Sequence, residues 1–179
     1  MDKAKFRSMF KCVLVLAVIA LCSGLLLGAF NLLTYVDPLK STYERFAADT
    51  GAKFSKMTDE AGKTYGDGSV VYYAVSDDGV YHAFLAEGKG GYGGSVQLYV
   101  YVKDGKIDKI VVGENSETFL NKLEEADFYS NFTGKEIASL NVLDTDAVSG
   151  ATKSSTAVKN AVNAVAEYYK ESVGGENNG

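Results

Sequence analysis

The fold is decided by residues 93–115, which read GGSVQLYVYVKDGKIDKIVVGEN. Apolar, aromatic and β-branched residues fill two runs of this stretch, one ending near Val102 and the other near Val112, with Asp104-Gly105 between them. An Asp-Gly pair between two such runs is a strong hairpin signal, because it suits a tight turn between paired strands. The stretch therefore predicts an antiparallel β-hairpin.

The preceding segment, SVVYYAVSDDGVYHAFLAEG at residues 69–88, repeats this design. It has an alternating, β-branched pattern that is interrupted by Asp77-Asp78-Gly79, a second turn signal. Two successive hairpins predict an antiparallel sheet of at least four strands.

The other periodic segments predict helices. A short helix is expected from about Lys40 to Ala48, ending at Gly51. Residues 116–135 predict a helix that Ser116 caps, with an apolar face formed by Phe119, Leu123 and Phe128. After a strand-like patch at 137–143, a long helix is predicted from about Ser154, because one helical stripe carries Val158, Val162, Val165 and Tyr169. The predicted fold class is α+β, an antiparallel sheet with packed helices.

Residues 12–36 form an uncharged run long enough to cross a bilayer as a helix. The run is longer than the apolar region of a cleavable signal peptide and lacks a small-x-small cleavage site at its end, so it predicts an uncleaved membrane anchor. Residues 1–11 carry four basic residues against one acidic residue, a net charge of +3. The positive-inside rule then predicts a cytoplasmic N-terminus, with the rest of the chain on the outer side of the cell (inner) membrane.

Charge and residue usage exclude several classes of function. The whole chain has a net charge of −5, and removing the +3 of residues 1–11 leaves −8 for residues 12–179, which disfavours nucleic-acid binding. Both cysteines, Cys12 and Cys22, lie in the predicted anchor, so the remainder has no thiolate metal site and no cysteine nucleophile. The single histidine, His82, lies in a predicted strand, and no serine–histidine–aspartate triad is expected. We therefore predict no catalytic residue and no metal site.

The glycine-rich segment EGKGGYGGS contains Gly88-x-Gly90-x-x-Gly93, which formally matches a dinucleotide-binding pattern. That mechanism needs a helix after the glycines, whereas a strand follows here, so a Rossmann site is rejected. Two interpretations stay open. The glycines allow a backbone to approach a flat ligand with Tyr92 as a stacking face, or they form a flexible hairpin connection.

The segment DAVSGAT, residues 146–152, places Thr152 just ahead of the last predicted helix. A phosphate ester on the Thr152 hydroxyl would meet the unpaired N–H groups and the positive end of the helix dipole. Lys153 would add a cation, and the three residues before Thr152 impose no bulk: Ser149, Gly150 and Ala151. The alternative interpretation is an ordinary loop that leads into a helix cap.

The segment DAVSGATKSS resembles the flavinylation motif of the FMN-binding domains found in Rnf complexes and in the sodium-pumping NADH:quinone reductase. The match includes Asp146, the Ser-Gly-Ala-Thr of residues 149–152, and the small hydroxyl residues Ser154 and Ser155. In that family a flavin transferase attaches FMN through its phosphate to the last threonine. The resemblance therefore implies covalent FMN on Thr152.

Two further segments agree with the family in order: the glycine–tyrosine segment with its following hairpin, and the loop ENSETFLNKL. The family's loop reads Glu-Thr-Pro-Gly-Leu-Gly; here Glu117-Thr118 are kept, while residues 119–121 differ and carry no implied role. The implied cofactor-binding residues are Thr152, Ser149, Gly150, Ala151, Lys153, Ser155, Tyr92, Gly93, Glu117 and Thr118.

The resemblance implies a flavin-bearing electron-transfer component of a membrane redox complex, most simply an Rnf-type ferredoxin:NAD⁺ oxidoreductase coupled to Na⁺ or H⁺ export. Other membrane proteins of that complex, a flavin transferase and the lipid bilayer would be its partners. One alternative is a stand-alone anchored flavoprotein of extracellular electron transfer, and another is a flavin-free adhesion or sensor domain. The expected organisation is a cytoplasmic N-terminus (1–11), a transmembrane anchor (12–36), a linker and helical stalk (37–69), an FMN-binding domain (70–170) and a disordered tail (171–179).

Overall fold

A computed structural model describes residues 3–34, 39–56, 58 and 62–173. The chain divides into two compact units, Met1–Ser41 and Thr42–Gly179. Within the first unit, α1 (Lys3–Thr34) contains Val13–Thr34, a stretch of 22 residues with mean hydropathy 2.7 that is long and apolar enough to cross a membrane. This apolar helix is the one expected of the anchor. Most of the tail predicted to be disordered, residues 174–179, lies outside the described residues.

The second unit contains a five-stranded antiparallel sheet in the order β1-β2-β3-β4-β5. Its strands are β1 (Lys63–Tyr65), β2 (Gly68–Val75), β3 (Tyr81–Gly88), β4 (Val96–Lys103) and β5 (Lys106–Val112). Both predicted hairpins are confirmed. Asp104 and Gly105 have φ angles of 51° and 74°, the left-handed values that a two-residue hairpin turn requires. The short strand β1 was not predicted, because its three residues are too few to show a period.

The helices are α2 (Lys40–Thr50), α3 (Leu120–Glu125) and α4 (Thr152–Ser172), with 3₁₀ turns at Phe128–Asn131 and Ile137–Ser139. The predicted short helix after the anchor is confirmed as α2. It lies in the interval assigned to a linker and stalk, yet its Phe46 is fully buried in edge-on contact with Tyr99 and Tyr101. The α+β fold class is confirmed.

Helix α4 packs across one face of the sheet. The predicted stripe residues Val158, Val162 and Val165 are fully buried, whereas Tyr169 is partly buried. Gly88 permits this packing, because a Cβ atom there would lie 1.9 Å from the carbonyl oxygen of Ala157. The α4 backbone therefore lies directly on the end of β3.

The predicted helix over residues 116–135 is wrong in its start and its length. Ser116 caps no helix: the Asn115 side chain accepts the Glu117 N–H at 2.9 Å, which holds this segment as a loop until α3 begins at Leu120. Leu123 and Phe128 are buried as expected, although Phe128 belongs to a 3₁₀ turn. The sequence pattern identified apolar positions correctly but could not show that the intervening loop is held by side-chain bonds.

The prediction of a strand-like patch at residues 137–143 is also wrong. Ile137 is fully buried, and its N–H donates to the carbonyl oxygen of Gly105 at 3.0 Å, so that a 3₁₀ turn instead of a strand covers the end of the second hairpin. The last helix begins at Thr152, two residues earlier than the predicted Ser154.

Candidate functional site

Thr152 is the first residue of α4, a helix of 21 residues, and it is exposed. The residue before it, Ala151, occupies the N-cap position and has no side-chain oxygen with which to cap the first turn. The early N–H groups of α4 and the positive end of its dipole are therefore available to an anion beside the Thr152 hydroxyl. Gly150 makes the bend into the helix with a φ of 74°.

The buried Ser155 side chain holds this bend in place. It is fully buried, and its hydroxyl donates to the carbonyl oxygen of Ala151 at 3.0 Å while it accepts the N–H of Val148 at 3.0 Å. Ala151 is 3% exposed, whereas Ser149 and Gly150 are exposed on the outer side of the loop. Ser155 thus holds the loop that presents Thr152, and its hydroxyl is already engaged by the loop backbone.

Glu117 joins the three motifs of the site. One carboxylate oxygen accepts the N–H of Gly93 at 2.7 Å, and the other accepts the hydroxyl of the fully buried Ser154 at 2.5 Å. The glycine segment, the Glu-Thr loop and the first turn of α4 are therefore bonded to one another through a single side chain. Thr118 is exposed next to it.

The glycine segment packs closely against this loop. A Cβ atom at Gly91 would lie 2.5 Å from a Glu117 carboxylate oxygen, and one at Gly93 would lie 2.2 Å from the carbonyl oxygen of Ser116. The Asn160 side chain also donates to the carbonyl oxygen of Lys89 at 2.9 Å, which ties the segment to α4. These glycines therefore permit a close approach of protein backbone, a role that neither open interpretation of the sequence included.

Tyr92 stands at the tip of the glycine segment with 68% of its surface exposed. Its ring meets that of Phe119 edge-on, with the centroids 5.7 Å apart. The Lys153 ammonium lies 5.7 Å from the Tyr92 centroid, and the Lys122 ammonium lies 5.1 Å from the Phe119 centroid. An aromatic surface with two cations is thus built next to Thr152.

Phe119 and Lys122 were not among the predicted site residues. The only signal available in the sequence was the change of Pro-Gly-Leu to Phe119-Leu120-Asn121, which shows a difference from the family but not its purpose. Seven of the ten predicted residues lie in the segments that Glu117 joins, and the other three, Ser149, Gly150 and Ala151, lie in the loop that leads into α4.

The residues present fit a ligand with a flat ring and a phosphate. The exposed Tyr92 ring suits stacking, and the first turn of α4 together with Lys153 suits a negative charge. Within residues 3–34, 39–56, 58 and 62–173, no group of three histidine, cysteine or acidic side chains could hold a metal ion.

The fold and the site together define an α+β domain that presents a threonine at a helix N-terminus beside an aromatic surface. Residues 91–167 match the family model of the FMN-binding domain. This match supports a flavin-binding role in electron transfer. The match begins at Gly91, inside the glycine segment, and covers the second hairpin, the Glu117 loop, Thr152 and most of α4. No curated protein and no solved structure matches the chain.

Proposed function

We propose that this protein is a membrane-anchored electron carrier whose FMN is esterified through its phosphate to Oγ1 of Thr152. The observation that carries the proposal is the position of Thr152, exposed at the uncapped start of α4 within the segment matched to the FMN-binding family. A covalent link keeps the cofactor on the protein outside the cell membrane, where a dissociable flavin would be lost by diffusion.

The attachment is a phosphoryl transfer. A phosphate ester does not form from an unactivated phosphate under mild conditions, so the flavin transferase needs a phosphoanhydride of FMN as donor. The Thr152 oxygen forms a new bond to the FMN phosphorus, the anhydride P–O bond breaks, the second phosphate leaves, and the hydroxyl proton passes to a base. The loop residues Ser149 and Gly150 give the transferase access because they are exposed.

The chain's own residues supply the tether and its surroundings. The first turn of α4 and Lys153 would stabilise the phosphate, and Tyr92 would stack on the ring. Glu117 would hold Gly93 and Ser154 in place around the tether. FMN, when bound, supplies the redox chemistry, since its ring accepts and donates electrons one at a time or in pairs.

The larger assembly is an Rnf-type ferredoxin:NAD⁺ oxidoreductase in which this chain is the flavin-bearing component with a single anchor, and the coupled ion is Na⁺ or H⁺. Gly24 and Gly28 support contacts with other membrane proteins of the complex, because small residues four apart let transmembrane helices approach closely. The N-terminus then lies in the cytoplasm and the FMN domain on the outer side, an orientation that the basic residues among positions 1–11 favour.

A stand-alone anchored flavoprotein is the second candidate, and the altered loop at residues 119–121 favours it. Purification of the full chain from its native membrane in mild detergent separates the two candidates. Co-purifying membrane proteins with the composition of an Rnf complex support the first candidate, and a flavin-bearing monomer supports the lone carrier.

Covalent attachment is tested by mass spectrometry on the full chain made together with a flavin transferase. Trypsin should cut after Lys135 and Lys153 and release residues 136–153, the peptide that contains Thr152. We expect this peptide to gain the mass of FMN less one water, and Thr152→Ala to abolish the gain. Thr156→Ala, a threonine one turn later in α4, is the matched control and should keep it. An unmodified peptide in the wild type would refute the proposal.

A further inference from the structure

We propose that Phe119 and Lys122 form, with Tyr92, the surface on which the flavin nucleotide docks, Phe119 at the ring and Lys122 at the phosphate. This proposal rests on the proposed function for the tether at Thr152, but docking of the nucleotide can be measured without the covalent bond. Phe119 stands in the part of the loop that differs from the family motif, and Lys122 directly follows that part.

The aromatic part of the surface is a corner made by two rings. Phe119 and Tyr92 meet at an interplanar angle of 74°, so each ring leaves one face directed away from the other ring. Phe119 is partly buried against the core, which holds its ring, whereas Tyr92 is 68% exposed. A flat heteroaromatic ring would cover apolar surface on both side chains by stacking on one and meeting the edge of the other.

The altered loop places Phe119 and Lys122 on the same side of the chain. Leu120 is 7% exposed and anchors the start of α3 in the core, so the residues flanking it are held in position. Residues three apart lie on one helix face, and the Lys122 ammonium accordingly lies 5.1 Å from the Phe119 centroid. The substitution of Pro-Gly-Leu by Phe119-Leu120-Asn121 thus adds a ring and fixes a cation.

Lys122 also reaches the segment that carries the tether. Its ammonium is 3.5 Å from the carbonyl oxygen of Gly150, two residues before Thr152. Glu117 is an acidic group of the site, and its two oxygens already accept hydrogen bonds from Gly93 and Ser154. Lys122 and Lys153 can therefore both turn an N–H toward a phosphate at Thr152, and such charge-assisted bonds are among the stronger ones in proteins.

The first experiment uses the full chain in mild detergent, made without a flavin transferase, and titrates it with FMN and separately with riboflavin. Flavin fluorescence quenching and anisotropy report docking. Phe119→Leu and Tyr92→Leu should weaken both ligands by about threefold to tenfold, because each removes one ring contact. Lys122→Gln should weaken FMN by about tenfold and leave riboflavin unchanged, since riboflavin has no phosphate. Lys122→Arg should restore most of the FMN affinity.

Two control variants remove the same kinds of side chain at positions outside the proposed docking surface. Tyr81 lies at the far end of β3 with the Lys103 ammonium 5.3 Å from its ring centroid, so Tyr81→Leu removes a comparable aromatic–lysine pair. Lys135 is an exposed lysine beside β5, so Lys135→Gln removes a comparable charge. Both should bind FMN as the wild type does. Equal losses in controls and site variants, or no saturable FMN binding by the wild type, would overturn the proposal.

A second measurement separates this proposal from the covalent one. In chains loaded by a transferase, iodide should quench the flavin more in Phe119→Leu than in wild type, because the ring is less covered. If FMN is attached to Thr152 but iodide quenches the flavin equally in all variants, the docking proposal is refuted and the tether proposal stands. If FMN binds reversibly in a way that depends on Phe119 and Lys122 but no adduct forms on residues 136–153, the tether proposal is refuted and the docking proposal stands.

Discussion

The Glu117 carboxylate accepts a hydrogen bond from the Ser154 hydroxyl at 2.5 Å, which joins the loop before α3 to the first turn of α4 across 37 residues of sequence. Ser154 is fully buried, and the second Glu117 oxygen takes the N–H of Gly93. A glutamate that the sequence suggests as a flavin contact is therefore also the structural connection among the three motifs. The position of Thr152 relative to Tyr92 depends on it.

Replacing Glu117 tests this connection. We expect Glu117→Ala to lower the free energy of unfolding by about 2 kcal/mol, because it leaves the buried Ser154 hydroxyl and the Gly93 N–H without their acceptor. Glu117→Gln keeps one acceptor oxygen and should lose less than half as much. Urea unfolding of the full chain, followed by near-ultraviolet circular dichroism, measures the difference. Glu125→Ala, an exposed glutamate at the end of α3, should change little, and equal stability of all three variants would contradict the role.

Gly88 should be intolerant of any side chain. Its Cβ would stand 1.9 Å from the Ala157 carbonyl oxygen, so Gly88→Ala must push α4 away from the sheet. Overpacking of this kind costs about 1–3 kcal/mol or more, and we expect a loss at the upper end because the obstacle is backbone. Gly62→Ala is the matched control, since its nearest neighbour is at an ordinary 3.5 Å. Similar urea midpoints for the two variants would contradict the close packing of α4 on β3.

Much of the fold was predictable because its signals are local. The two hairpins follow from Asp-Gly turns between β-branched runs, and α4 follows from its valine stripe. The site was predictable only in part. Thr152 is recognisable from its motif, whereas the Glu117–Ser154 bond and the Phe119–Tyr92 contact join residues 37 and 27 positions apart, and no local periodicity reports such contacts.

Ser155 should control the order of the loop before Thr152 and therefore the rate at which FMN is attached. Ser155→Ala removes the acceptor of the Val148 N–H and the donor to the Ala151 carbonyl oxygen, with a cost of about 1–2 kcal/mol. The loop around Thr152 then becomes less ordered, and we expect slower attachment of FMN without its abolition. The rate of adduct formation on residues 136–153, at fixed transferase, measures this effect. Thr156→Ala, which removes a hydroxyl that donates to the Thr152 carbonyl oxygen one turn back, should react at close to the wild-type rate.

Tyr129 offers a substitution that should stabilise the protein. Its hydroxyl is buried and has no hydrogen-bond partner among the residues that the structure describes. Tyr129→Phe removes this unsatisfied group while keeping the ring, so the free energy of unfolding should rise by about 1 kcal/mol. Tyr101→Phe is the opposite control, because the Tyr101 hydroxyl donates to Asp49 at 2.7 Å and its loss should destabilise.

The same tyrosine gives the stability a pH dependence. Burial, and secondarily the Glu124 carboxylate, raise the pKa of Tyr129 from its ordinary value of 10.0 to about 12. Between these values the folded chain keeps a proton that the unfolded chain releases. The contribution of Tyr129 to the free energy of unfolding is therefore complete below about pH 10 and is lost as the pH rises toward 12. The advantage of Tyr129→Phe over wild type should therefore be larger at about pH 11 than at about pH 8, and urea unfolding at both values measures it. An advantage that is the same at both would mean that Tyr129 ionises as freely in the folded chain as in the unfolded one.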